Sequence, residues 1–282
     1  MTGHLAALGA ALSWTLASGL WRSLSNQGSA LALNVWKNGL ASLFFLPVLF
    51  TLPWQDNSTA VGWLLLSGVV GIAAGDSFYL AALRRLGTRR TLTVEAIGPV
   101  LASCGSVLLM GEMLATQAWI GAAMVTTAVG LVTWPSSGWG RDAAGLLLAM
   151  LAVICGLGGA FLARDVLVNS SLTPLQTAAV RLCGGLLGLL PLVRPGAASL
   201  RSWTGPGAAR VVFATLLGTN AGILLQQMVF QQMAVGPGVT LMSTAPVMAL
   251  MISRFEGDPI QRRGVAAAVL AVTGVACTMA AR

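Results

Sequence analysis

Ten stretches of apolar residues, near 4–21, 29–51, 61–83, 88–110, 116–134, 143–163, 173–193, 208–231, 236–254 and 264–281, leave this chain almost no other material. A helix needs ~20 apolar residues to cross the hydrocarbon of a bilayer, and each stretch approaches that length. Of 282 residues 56% are hydrophobic and only 9% charged, with a mean hydropathy of +0.82, whereas a soluble domain carries about 25% charged residues. The connections 84–87, 111–117 and 254–263 are too short to hold a second domain. The expected fold class is therefore an all-α integral membrane protein of ten transmembrane helices. The start, Met1-Thr2-Gly3-His4, lacks the basic region of a signal peptide, so the first stretch reads as a retained helix.

The chain also contains itself twice. Residues 71–99 lie over 218–246 without a gap at a spacing of 147, which matches Gly71 to Gly218, Gly75 to Gly222, Thr93 to Thr240 and Pro99 to Pro246. Earlier in each half Lys37/Arg181 and Pro47/Pro191 align at 144, and Arg22/Arg164 at 142. The expected units are 1–137 and 138–282, with five spans each. Five is odd, so the second copy enters the membrane upside down relative to the first. Such inverted repeats offer two near-equivalent arrangements, one open to each side, with a solute site where the halves meet, the plan of many secondary transporters.

Charge sets the expected orientation. Numbering the connections in order, the odd ones carry Arg22, Arg84, Arg85, Arg89, Arg90, Arg141, Arg194, Arg201, Arg210, Arg254, Arg262 and Arg263, while the even connections and both ends carry only Arg164 and Arg282. Basic residues stay on the cytoplasmic side, so twelve against two places the odd connections inside and both termini outside. Some of these arginines have Asp142, Glu256 or Asp258 as alternative partners. The net charge of +8 thereby reads as orientation, not as a nucleic-acid footprint, and no nucleic-acid partner is expected. The cysteines at 104, 155, 183 and 277 fall inside spans, where they read as small core residues.

The segment Gly75-Asp76-Ser77-Phe78-Tyr79-Leu80-Ala81-Ala82-Leu83-Arg84-Arg85-Leu86-Gly87, then Pro99-Val100, then Gly111-Glu112, resembles the third-to-fourth helix signature of the drug/metabolite transporter superfamily in its ten-helix EamA-type branch. Pro246-Val247, Glu256 and Gly264 repeat it more loosely, Glu256 following Pro246 by ten residues where Glu112 follows Pro99 by thirteen. The resemblance implies a small metabolite, amino acid or drug-like cargo, usually exported, and a cavity lined by the first, third, fourth, sixth, eighth and ninth helices. It also implies cytoplasmic termini, opposite to the charge count, which leaves import against export open.

Charges inside spans cost ~2.5–3.5 kcal/mol at a helix centre, so they face a cavity or a partner. Lys37, Asp76, Glu95 and Arg181 are the four cases. Asp76 and Glu95 are expected at similar depth below one surface, close together or both opposite Lys37. Crowding or desolvation favours a protonated carboxylate, so these two are the proton-coupling candidates. Pro99 frees the carbonyl of residue 95 from its helical donor. The solute-binding candidates are Trp14, Ser18, Asn34, Lys37, Tyr79, Asn220 and Gln227, the last two belonging to an amide stripe with Gln231 on the eighth helix and Gln226 beside it. Each has a structural alternative: Lys37 and Arg181 as ion-pair partners, the amides as helix glue. Pro99 and Pro246 are read as helix breaks. Gly71 and Gly75, with Gly218 and Gly222, form two GxxxG faces expected to pack the third helix on the eighth. Trp54, Trp63 and Trp139 read as interface anchors.

No HExxH, GxSxG, Walker or paired-cysteine spacing occurs and the one histidine is His4, so no catalytic residue, metal or cofactor is expected. The expected function is a secondary transporter; the alternative is a membrane-embedded enzyme or a channel acting on a small or lipid-like substrate. The expected partners are a small solute and the lipid bilayer, in the inner cell membrane, and a monomer and a homodimer fit the sequence equally well.

Overall fold

A computed structural model describes residues 2–22, 30–134, 142–192, 206–248 and 262–281. Glu256, Asp258, Trp139 and the expected 137/138 boundary lie outside the described residues. Among those described, every regular element is helical. The order is α1 (Thr2–Arg22), α2 (Ala30–Leu49), α3 (Trp54–Gly68), α4 (Gly75–Leu86), α5 (Thr88–Glu95), α6 (Gly98–Met110), α7 (Thr116–Thr133), α8 (Ala143–Asn169), α9 (Pro174–Leu189), α10 (Pro206–Thr215), α11 (Gly222–Gln232), α12 (Val235–Met242) and α13 (Arg262–Ala280). Seven stretches, Trp54–Leu86, Arg90–Met110, Thr116–Thr133, Ala143–Asn169, Pro174–Leu192, Gly207–Gln232 and Arg262–Ala280, are long and apolar enough to cross a membrane.

The helix ends follow local chemistry. Thr173 and Gln176 form a reciprocal capping box before α9, with Pro174 at its first turn, where a missing N–H costs nothing. Asp142 caps α8 by accepting from the Gly145 N–H at 2.9 Å. Gly111, at φ 64°, turns the chain out of α6 while the Glu112 N–H donates to the Ser106 carbonyl at 2.9 Å. Gly87, at φ 76°, joins α4 to α5. The third apolar stretch begins at Trp54 instead of 61, and the sixth runs to Asn169 instead of 163. The sixth is longer because Arg164, which a hydropathy reading puts outside the span, has its charge satisfied inside the protein.

The repeat is visible in the irregularities. Val69–Ala74 and Leu216–Ala221 are both π-helical, 147 residues apart, and each runs directly into a glycine that starts the next α-helix. The pairs α5/α12 coincide at the same spacing, and both helices stop just before a proline, with breaks at 96–97 and 243–244. A proline withholds one N–H from the helix, so Pro99 and Pro246 break their helices as expected.

The two GxxxG faces do not meet each other. A Cβ on Gly71 would lie 3.2 Å from the Gly159 Cα, and one on Gly75 3.5 Å from the Gly156 amide, both on α8. A Cβ on Gly218 would lie 2.5 Å from the Ala17 Cβ, and one on Gly222 would strike Trp14, both on α1. The expected packing of third helix on eighth is thus corrected to third on sixth and eighth on first. Ala17 and Gly159, and Trp14 and Gly156, are themselves 142 residues apart, so each glycine face finds the repeat-related version of the other's partner. Small residues show which face allows close approach, not which helix approaches. α9 is drawn against α3 in the same way: a Cβ on Gly184 or Gly68 would collide with backbone of the facing helix.

Candidate functional site

The four charges placed inside spans converge. Lys37 on α2 reaches across to α4, its Nζ 2.9 Å from Asp76 Oδ2, with side chains 24% and 37% exposed. Asp76 lies within electrostatic reach of Tyr79 one turn on, of Glu95 at the end of α5, and of Arg181 on α9. Arg181 is buried, and its Nη2 lies beside Gly71, 3.4 Å from where a Cβ on that glycine would stand. Its Nη1 donates to Gln226 Oε1 at 3.2 Å, and among the described residues its Nε has no hydrogen-bond partner. Of the two expected arrangements, Lys37 is paired with Asp76, while Glu95 lies within electrostatic reach of Asp76.

Other candidates sit differently. Asn34, Asn220 and Gln227 are 3%, 4% and 0% exposed and so packed away. Asn220 Nδ2 donates to the Ala41 carbonyl on α2 at 3.0 Å, which is the helix-glue reading of the amide stripe. Trp14 fills the space that Gly222 leaves and is half-buried. Ser18 is exposed on α1, its hydroxyl bonded to the Thr15 carbonyl at 2.7 Å. Trp54 and Trp63 are about half exposed, at 51% and 48%, as interface anchors require.

Sequence reasoning passed over two groups. Gln226, not Gln227, is the half-buried amide, and it stands 147 residues after Tyr79. A guanidinium only donates, so Arg181 must take the oxygen of Gln226, and the Gln227 amide shares that oxygen at 3.4 Å. The NH2 of Gln226 is thereby turned away from Arg181; among the described residues it donates no hydrogen bond. The second group is Arg164, whose Nε and Nη2 both lie 3.1 Å from Glu112 Oε1. Its Nη1 donates to the Phe230 carbonyl and to that of Gln231 at 3.2 Å, at the C-terminus of α11. Both signals were in the repeat spacing, which pairs Gln226 with Tyr79 and Arg164 with Arg22.

The two ends of the bundle differ. At the end bearing Gly111, the N-terminal half of α1 and parts of α6, α8, α11 and α12 share one apolar cluster, including Ala6, Ala10, Phe161, Phe230, Val235 and Met242. Ser106 Oγ accepts from the Gly236 N–H at 2.9 Å across the same seam. At the end bearing Gly87, α4 and α5 pack on α8, but among the described residues they make no comparable packing with α1. There Ser18 is exposed and nothing lies within 4 Å of a Cβ built on Gly19. Among the described residues, then, an apolar cluster closes the Gly111 end, and at the Gly87 end α1 makes no matching closure on α4 and α5. A separate pocket of about 480 Å³ at the Gly111 end, beside Asp56, Trp63 and Asp165, contains none of the cluster residues.

Outside the spans, the Gly87 end carries the ion pair of Arg85 with Asp142. Arg85 Nε lies 3.0 Å from Asp142 Oδ2. The Arg85 hydrogen bond, with that of the Gly145 N–H, holds the Asp142 carboxyl below the usual carboxylate range.

Apolar helices in two related halves, with charged side chains of both halves drawn together between them, fit a membrane transport protein. The chain belongs to the EamA-like transporter family, whose model matches residues 1–134 and 143–280. A solved crystal structure of a protein with 18% identity superposes with a TM-score of 0.82 over 99% of this chain and 99% of its own, a likeness that speaks to the fold alone. No curated protein matches the chain in sequence.

Proposed function

We propose that this protein is a secondary active transporter of ten membrane-spanning helices, arranged as inverted five-helix repeats over 1–137 and 138–282, which exports a small polar metabolite by alternating access. The observation that supports the reading is the partly exposed Lys37–Asp76 pair set among helices that, among the described residues, an apolar cluster closes at the Gly111 end and α1 leaves unclosed at the Gly87 end. Two repeats that meet at such a cluster have a second arrangement of similar energy with the seal exchanged. Cargo is held between Tyr79 and Lys37 from the first half and Gln226 from the second, Trp14 and Ser18 lining the first helix. Because Arg181 occupies the Gln226 oxygen, the amide offers N–H donors, which selects an acceptor oxygen on the cargo. Proton coupling runs through Asp76 or Glu95.

The arginine count supports an orientation with the Gly87 end in the cytoplasm of a cell membrane, and the pairing of Arg164 with Glu112 removes one of the two exceptions. The open end then faces the cytoplasm, as loading for export requires. The test is a thermal-shift screen of purified protein against amino acids, nucleobases, nucleosides, sugars and cationic drugs, followed by counterflow of each hit in proteoliposomes. Counterflow that disappears in Gln226→Leu while the protein stays folded is the expected result. Uphill exchange excludes a channel, and recovery of chemically unmodified solute excludes an enzyme. If Asp76→Asn and Glu95→Gln, singly and together, leave counterflow and its pH dependence unchanged in folded protein, the coupling assignment is wrong.

A further inference from the structure

The repeat assigns Glu95 a specific task. At the spacing of 147, Glu95 corresponds to Met242, and Met242 is 4% exposed within the apolar seal of the Gly111 end. The rest of that seal also has counterparts at the Gly87 end. Phe230 corresponds to Leu83, Val229 to Ala82 and Leu241 to Val94, while at 142 Ala160 corresponds to Ser18 and Phe161 to Gly19. Part of the second seal is already assembled, since Ala82, Leu86, Val94, Leu148 and Ala149 pack together. What is missing is α1: Ser18 and Gly19 stand open where Ala160 and Phe161 are buried.

Closing the Gly87 end as the Gly111 end is closed brings α1 onto α4 and α5 and puts Glu95 where Met242 lies now. Leu83, Ala82, Val94, Ser18 and Gly19 are apolar or small; among these counterparts Glu95 alone is ionisable. An ionised carboxylate in such a seal needs a counter-charge or must be neutralised. Among the described residues, the groups packed around it do not supply one. From α4 come Asp76, an acid already engaged by Lys37 at 2.9 Å, and Tyr79. α7 has no titratable residue, and α8 offers Cys155 at the level of Gly75. On α5 itself Arg90 lies five residues away, roughly 140° round the helix.

Resting on the transporter reading above, we propose that Glu95 is a proton-operated gate: the Gly87 end closes only when this carboxylate has taken up a proton. The O–H bond forms with a proton from water at the open Gly87 end, and the same proton returns there on reopening. It regulates the conformational step without being carried across, which leaves Asp76 as the coupling carboxylate.

The test uses the full chain in lipid nanodiscs, with Cys104, Cys155, Cys183 and Cys277 replaced by alanine or serine and Ser18→Cys introduced as the reporter. Labelling by a membrane-impermeant maleimide is measured between about pH 5 and about pH 9, each rate divided by that of the denatured protein at the same pH. With Glu95 present, relative labelling is expected to slow about tenfold or more on acidification, equal to ~1.4 kcal/mol of preference for the closed state. Glu95→Gln and Glu95→Met, the latter copying the residue at 242, are expected to label slowly at every pH, while Glu95→Asp and Asp76→Asn keep the response. A pH response unchanged in Glu95→Gln and Glu95→Met, or one abolished by Asp76→Asn alone, overturns the gate. Flat labelling with intact counterflow overturns the gate and leaves the transporter; a Glu95-dependent response without counterflow of any solute supports the gate and overturns the transporter.

Discussion

Arg164 on α8 joins Glu112, just after α6, to the end of α11 at the sealed end, and its removal has a calculable consequence. Replacing it by Met keeps most of the aliphatic stem but leaves Glu112 without its cation and the Phe230 and Gln231 carbonyls without a donor. The two charged side chains are only 15% and 17% exposed, so solvent screens the loss weakly. Breaking one partner of a buried pair costs about 3–5 kcal/mol, and the residual exposure argues for the lower end, about 3 kcal/mol. Glu112→Gln is milder, about 1–2 kcal/mol, because the amide oxygen still accepts from the guanidinium. In the double variant the orphaned carboxylate is gone, so the two changes are not additive, with a coupling of roughly 2 kcal/mol. SDS-driven unfolding of the four proteins, followed through the fluorescence of the nine tryptophans, closes the cycle. A coupling below about 0.5 kcal/mol would refute the claim that this pair holds the seal.

The glycine contacts predict a sharp local contrast. A Cβ at Gly159 would lie 2.8 Å from both the Gly71 Cα and the Ser67 carbonyl oxygen, so Gly159→Ala is expected to cost about 1–3 kcal/mol in the same unfolding assay. Gly130→Ala, with nothing within 4 Å, should be neutral or slightly stabilising. For Lys37 and Asp76 the double variant Lys37→Met/Asp76→Asn should exceed the less stable single by ~1 kcal/mol, since neither partner is left with an unmatched charge. The folded-state pKa of Asp142 is lowered by Arg85 and Gly145, so its contribution is complete above the unfolded value and lost as pH falls through the folded one. The thermal midpoint should therefore decline on strong acidification, and the part of that decline due to the cap should vanish in Asp142→Asn.

Much of the fold was legible because membrane helices are specified locally. Their length, apolarity and end signals are properties of consecutive residues, so Gly87, Gly111, Pro99 and Pro246 could be placed before any contact was known. The four charges within spans were equally legible, since a charge in an apolar run stands out by its cost. The amide stripe was less so. Helical spacing put Asn220 and Gln227 on one face, but that face packs against other helices, and the neighbouring Gln226 is the half-buried one.

What the sequence determined alone was the all-helical membrane class, the duplication and the identity of the charged residues, because each depends on composition or spacing along one chain. What the tertiary structure decided was partnership. It put the Gly71 face on α8 and the Gly218 face on α1, gave Gln226 rather than Gln227 to the Arg181 cluster, and drew Arg164 to Glu112 and the end of α11. It also decided which end is sealed. Two related halves have the same contacts available in either arrangement, and only the relative positions of distant helices select the set that is made.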